Sequence, residues 1–125
     1  MSEIIYQKVF DEIQNDLPEG WTRMVFFVAY TEGSYSMKYY YRLDGEGYLD
    51  CFSQSGSKMS QLINKFMTID KILSEERNML PEEKRWTVMT MVVDANGSFK
   101  TEYDYCDVSE NMITYERTWE NRYLQ

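Results

Sequence analysis

The chain has no histidine, only two cysteines and two prolines, and no long apolar run. Each shortage closes a route. Without histidine, the commonest general base and the commonest transition-metal ligand are missing. Cys51 and Cys106 alone cannot complete an ordinary zinc site. They fall on separate predicted strands, and neither has a helix start or a flanking base to lower its thiol pKa. Cys106 sits among acids, not beside the cationic groups that activate a thiol. Both therefore read as reduced, structural cysteines of a cytoplasmic protein. The opening "MSEIIYQKVFDEI" has neither the basic n-region nor the apolar h-region of a signal peptide. No apolar run approaches the ~20 residues of a membrane span. Bases are also scarce: 13 Lys and Arg face 21 Asp and Glu, a net charge of −8. Such a chain repels nucleic acid and anionic membrane and favours basic partners. Acidity also serves solubility alone.

What the chain does hold is aromatic surface. Aromatics are 16% of its 125 residues, eleven of them Tyr, whose apolar body and polar tip suit half-buried sheet faces and interfaces. The length fits one domain, 1–125, with a core that needs no disulfide or metal.

Residues 2–17 read as a helix, with Ile5 or Tyr6, Val9, Phe10, Ile13 and Leu17 on one stripe. Pro18 and Gly20 end it. Residues 21–31 are β-branched and aromatic and read as a strand, apolar on both faces and hence central. "YSMKYYYRLDGEGYLDCF" reads as a hairpin turning at 44–47, with its second strand over about 48–53. "SQSGS" is a polar loop. From Lys58 to about Asn78, Met59, Leu62, Ile63, Phe66, Ile69 and Leu73 recur at helical spacing and predict a long helix packed on the sheet. Arg85 to Val108 forms a second hairpin around Asn96-Gly97. A final helix covers 109–123, with Met112, Tyr115 or Glu116, Trp119 and Tyr123 along one side. Asp107 or Ser109 can cap it, and Asp107 with Glu110 has capping-box spacing. The order is α-β-β-β-α-β-β-α: an α+β fold with an antiparallel sheet of about five strands. Trp21 and Trp86, each opening an apolar strand, are expected to be mostly buried.

The stretch "FKTEYDYCDVSE", residues 99–110, carries the densest acid. Glu102 and Asp104 stand two apart on a strand and so share a face with Lys100 and Cys106. A carboxylate pair can do acid–base work or hold a hard cation. No nucleophile, histidine or calcium-type loop accompanies this pair, so no catalytic residue, metal or cofactor is expected. A solvated strand face, whose acids contribute little to folding, accounts for it. Asp107 and Glu110 suit the positive end of a helix dipole. "DGEG" joins two strands and "SQSGSK" matches no phosphate motif. "KYYYR" places Lys38, Tyr40 and Arg42 on one face, a basic–aromatic row that could stack bases, but in an acidic chain a half-exposed sheet face explains it.

Four places resemble the YezG-like immunity protein family. They are Leu17-Pro18-Glu19-Gly20-Trp21 after the first helix; Tyr39-Tyr40-Tyr41; Arg85-Trp86-Thr87 with Asn96-Gly97-Ser98-Phe99-Lys100 and Tyr103-Asp104-Tyr105; and Arg117, Trp119, Arg122 and Tyr123 in the last helix. The resemblance spans almost the whole chain. It implies an antitoxin that guards a bacterium against a secreted polymorphic toxin by binding rather than by catalysis. Toxins of such systems include nucleases, whose basic clefts acidic side chains can fill. On that reading Glu102, Asp104, Asp107 and Glu110 form a partner-facing acidic edge with Tyr103 and Tyr105 as anchors, and Asp44, Glu46 and Asp50 form a second acidic cluster. A solvated strand followed by a helix cap is the plain alternative for the first cluster. For the chain as a whole, the other reading is a small-molecule-binding domain with a Tyr/Met-lined pocket between sheet and helices. The sequence leaves homo-oligomerisation open.

Overall fold

The computed structural model describes residues 3–54 and 59–125. The expected helix starts at Ser2 and Lys58, and residues 55–57 of the expected loop, lie outside them. Three helices and five strands follow in the expected order: α1 (Glu3–Gln14), β1 (Trp21–Thr31), β2 (Ser34–Leu43), β3 (Tyr48–Asp50), α2 (Met59–Asn78), β4 (Val88–Asp94), β5 (Phe99–Asp104) and α3 (Met112–Tyr123). The sheet is antiparallel, with spatial order β3-β2-β1-β4-β5.

β1 is the central strand that its two-sided apolarity predicts. Met24 through Ala29 are all fully buried. Alternation sends Met24, Phe26 and Val28 to one face, where they join Ile5, Val9 and Ile13 of α1 and Leu62, Phe66, Ile69 and Leu73 of α2. Val25, Phe27 and Ala29 go to the other face, where Trp119 of α3 and Val108 cover them. The sheet is thus sandwiched, with two helices on one side and one on the other.

Several boundaries differ from the sequence reading. α1 stops at Gln14, because Asp16 and Leu17 turn back onto the carbonyls of Ile13 and Gln14 and carry Leu17 to the core. β3 lasts three residues. The chain then enters a 3-10 turn, Cys51–Gln54, that buries Cys51 and sets Phe52 against Phe66 of α2. On α2 the predicted stripe is too wide: Met59 and Ile63 remain 40% and 50% exposed, because the sheet contacts only the narrower Leu62-Phe66-Ile69-Leu73 seam. Trp86 is buried, but Trp21 is only half-buried at the rim beside Phe10.

Ala95, Asn96 and Gly97 turn the chain between Asp94 and Ser98. Asp94 N–H donates to Ser98 O at 2.8 Å, and Gly97 N–H donates to Asp94 O at 2.9 Å. Gly97 takes φ +96°, a value that favours glycine and suits the bulged form of a three-residue hairpin.

Candidate partner-binding site

The acidic stretch is less exposed than its alternation suggests. α3 lies over the face that carries Lys100, Glu102 and Asp104. Arg122 Nη2 donates to Glu102 Oε2 at 2.7 Å, and Lys100 Nζ lies 3.4 Å from Glu102 Oε1. The Tyr115 hydroxyl donates to the Asp104 carboxylate, and burial with that contact raises the Tyr115 pKa. Both acids are half-buried. The expectation that they form a solvated face contributing little to folding is therefore corrected: they tie α3 to β5.

Asp107 and Glu110 also differ from the sequence reading. α3 begins at Met112 after Asn111, and no side chain caps it. Val108, buried under the sheet, pins the intervening segment, so the chain makes a turn, Asn111 N–H to Val108 O, before the helix starts. Asp107 instead accepts from the Ser109 hydroxyl at 2.7 Å and the Ser109 N–H at 3.0 Å. Those two bonds, the hydroxyl first, hold its pKa below the ordinary value. Glu110 is exposed.

The tyrosines divide. Tyr103 bonds the Tyr6 hydroxyl of α1 and packs on Trp86, with ring centroids 5.7 Å apart. Burial comes first among the causes that push its pKa up. Tyr105 lies beyond the strand end and is 59% exposed. The structure thus brings Glu102, Tyr103, Asp104, Tyr105, Asp107 and Glu110 to one edge and its following loop. Asp44 and Glu46 are exposed in the β2–β3 turn, and Asp50 closes β3. They belong to the opposite edge, four strand spacings or roughly 19 Å away. The two acidic clusters are separate surfaces.

Beside β5 lies a feature that the sequence reading missed. Leu80, Glu83, Lys84, Trp86, Tyr103 and Tyr105 line an open groove of about 460 Å³. Only the exposed Tyr105 hints at it in sequence, since the groove's other wall comes from the turn after α2. Arg85 builds that turn by donating to the carbonyls of Arg77, Asn78 and Leu80 at the end of α2. A smaller cleft of about 230 Å³ lies between α1 and the β4–β5 hairpin, lined by Tyr6, Phe10, Trp21, Met91 and Phe99 among others. It falls below the ~300 Å³ at which ligand pockets begin. A Tyr/Met-lined pocket between sheet and helices is the other expectation; Met24, Met37, Met89, Tyr39 and Tyr41 are packed into the core there.

The basic–aromatic row on β2 is covered as well. Lys38 sits beneath α3, 3.1 Å from Glu116 and over the rings of Phe27 and Tyr40. Burial lowers the pKa of this ammonium, but contacts with Tyr40 and Glu116 outweigh it and the net shift is upward. Arg42 stacks on Tyr48. The row leaves no open strip on which bases could stack. Among the described residues no three Asp, Glu or Cys side chains gather as a metal site, and no helix is long and apolar enough to cross a membrane.

A family model described as YezG-like immunity protein matches residues 2–125. The chain belongs to this family. A relative, Immunity protein YezG of Bacillus subtilis (strain 168), is 23% identical over 129 residues, which cover 96% of this chain and 85% of the relative. In this YezG-like chain the residues that carry the resemblance do structural work. Tyr39, Tyr41 and Trp86 fill one core, Trp119 fills the other, and Arg85 closes α2.

No disulfide joins Cys51 and Cys106. Burial, the leading cause, pushes the Cys51 thiol up to about 11, whereas Cys106 is exposed. At pH 8 a thiol-titrating reagent should therefore modify one cysteine per native chain and two after denaturation. Equal, rapid reaction of both in the native protein would show that the 3-10 turn at Cys51 is not closed.

Proposed function

We propose that this chain is a cytoplasmic antitoxin that binds a cognate secreted toxin directly and blocks it without catalysis, through the surface formed by β5 and residues 105–111. The observation that carries this is the family match over residues 2–125, read together with a groove and an exposed Tyr105 beside the chain's densest acid. A basic partner suits a chain of net charge −8, and a nuclease, with its cleft for phosphate, is the toxin type that this charge fits best. An interface of standard size takes ~800 Å² per partner, about a tenth of the 7627 Å² surface. The test is co-expression with a candidate secreted-toxin domain, sought first among the genes that neighbour this one. Restored colony counts support the reading; undiminished killing sinks it.

Charge reversal tests the surface. Glu102→Lys with Asp104→Lys should slow association by about tenfold or more at low ionic strength and flatten its salt dependence. Because these acids hold Arg122 and Tyr115, the same pair should lower folding stability by about 1–3 kcal/mol. Glu110→Lys separates the two effects, since Glu110 is exposed and lies outside any regular element. It should slow association and leave the melting temperature alone. Superimposable rate-against-salt curves for wild type and both variants would remove this surface from the interface.

A further inference from the structure

We infer that the partner is held by strand addition: an extended segment of it pairs with the open edge of β5. This rests on the reading that the chain acts by binding a toxin.

β5 ends the sheet, and among the described residues no strand pairs with its outer side. Which residues face out follows from the ladder. Asp94 N–H donates to Ser98 O, and Thr87 N–H donates to Asp104 O, both at 2.8 Å. Even-numbered residues of β5 therefore turn their backbone groups towards β4. By strand alternation Thr101 and Tyr103 turn their N–H and C=O groups outward. The edge strand on the other side of the sheet, β3, lasts only from Tyr48 to Asp50.

Side-chain parity points the same way. The outward-facing backbone belongs to residues whose side chains lie on the α1 side, where Tyr6 meets Tyr103 and Phe99. A strand laid along β5 places every second side chain on that side, over the groove lined by Leu80, Lys84, Trp86, Tyr103 and Tyr105. Trp86, buried to 2% exposure, forms the floor of that groove with Tyr103 packed on its ring.

The edge also selects its occupant. Lys100 and Glu102 give it charge, the usual guard against indiscriminate pairing. Asp107 and Glu110 follow its C-terminal end. The segment that fits has apolar side chains at alternate positions for the groove and a basic residue at the end that meets these acids. A second copy of this chain fits poorly, because two chains of net charge −8 repel each other.

The experiment is residue-resolved amide hydrogen exchange on the ¹⁵N-labelled chain, alone and with the candidate toxin domain of the co-expression test. Thr101 and Tyr103 amides should exchange quickly in the free protein and about 100-fold more slowly in the complex, whereas Lys100 and Glu102 stay protected in both. Unchanged exchange at Thr101 and Tyr103 in a formed complex would overturn strand addition while leaving the antitoxin reading intact. Concentration-dependent protection without toxin would replace the proposed occupant by a second copy. A toxin domain that neither binds nor is neutralised would sink both readings. Proline provides a second arm. Thr101→Pro removes an outward N–H, so it should weaken the complex by about tenfold or more and barely move the melting temperature. Lys100→Pro removes an inward N–H and should destabilise the fold. Full affinity in Thr101→Pro would overturn the proposal.

Discussion

Replacing Trp86 by alanine should cost about 3–5 kcal/mol of folding stability, and replacing it by phenylalanine should cost far less. Trp86 is 2% exposed and joins elements that local sequence keeps apart. Its ring lies 5.6 Å from Tyr30 on β1, 5.7 Å from Tyr103 on β5 and 5.7 Å from the Arg77 guanidinium on α2. Arg77 Nε also donates to the Trp86 carbonyl at 2.6 Å, so the end of α2 is anchored to the strand's start from two directions. Alanine leaves a void that neither the sheet nor the helix end can close, and the void adds to the lost burial. Phenylalanine keeps most of the contact area and removes only an N–H that has no acceptor among the described residues. An unpaired buried donor costs about 1–3 kcal/mol, so losing it offsets part of the lost area. Chemical denaturation of wild type and both variants checks this. Equal, large losses in the two variants would mean that the indole N–H is bonded after all.

The second large effect is expected at Trp119, where the order of substitutions changes. Trp119→Ala should also cost about 3–5 kcal/mol, and it should release α3 from the sheet. Trp119 is the buried residue of α3 and is 3% exposed. It meets Phe27 edge to face at 4.9 Å and packs against Tyr40 and Tyr123. Here, however, the indole N–H donates to the hydroxyl of Thr90, the buried polar residue of the sheet, at 2.8 Å. Trp119→Phe therefore loses a satisfied bond and should cost about 1–2 kcal/mol beyond the lost area. The two phenylalanine variants, matched in volume change, should differ in stability for this reason alone. Released α3 also frees Glu102 and Asp104, so Trp119→Ala should raise amide exchange across β5. Thermal melts with exchange at residues 99–104 decide it, and a Trp119→Ala protein with native protection there would show that α3 does not support this edge.

The distance between these tryptophans marks the division between what was legible in the sequence and what was not. Helix and strand identities, their order and the antiparallel sheet came from short-range signals. The 3.6-residue recurrence from Leu62 to Leu73 is one, the two-sided apolarity of Met24 to Ala29 another, and Asn96-Gly97 a third. Those signals act within a few residues, so one sequence suffices to read them. The family was legible because single residues such as Trp86, Trp119 and Arg85 stand where packing and helix closure need them. Only the tertiary structure decided which face each helix covers. α3 and α1 are both amphipathic, and amphipathicity gives a helix a buried side without saying which side of a sheet receives it. Placing α3 over Lys100, Glu102 and Asp104 turned a solvated face into ion pairs and hydrogen bonds. Carrying the turn after α2 to the side of β5 made a groove from residues some twenty positions apart. Leaving β5 last in the sheet made its outer backbone available, a property of strand order that no side-chain pattern along β5 encodes.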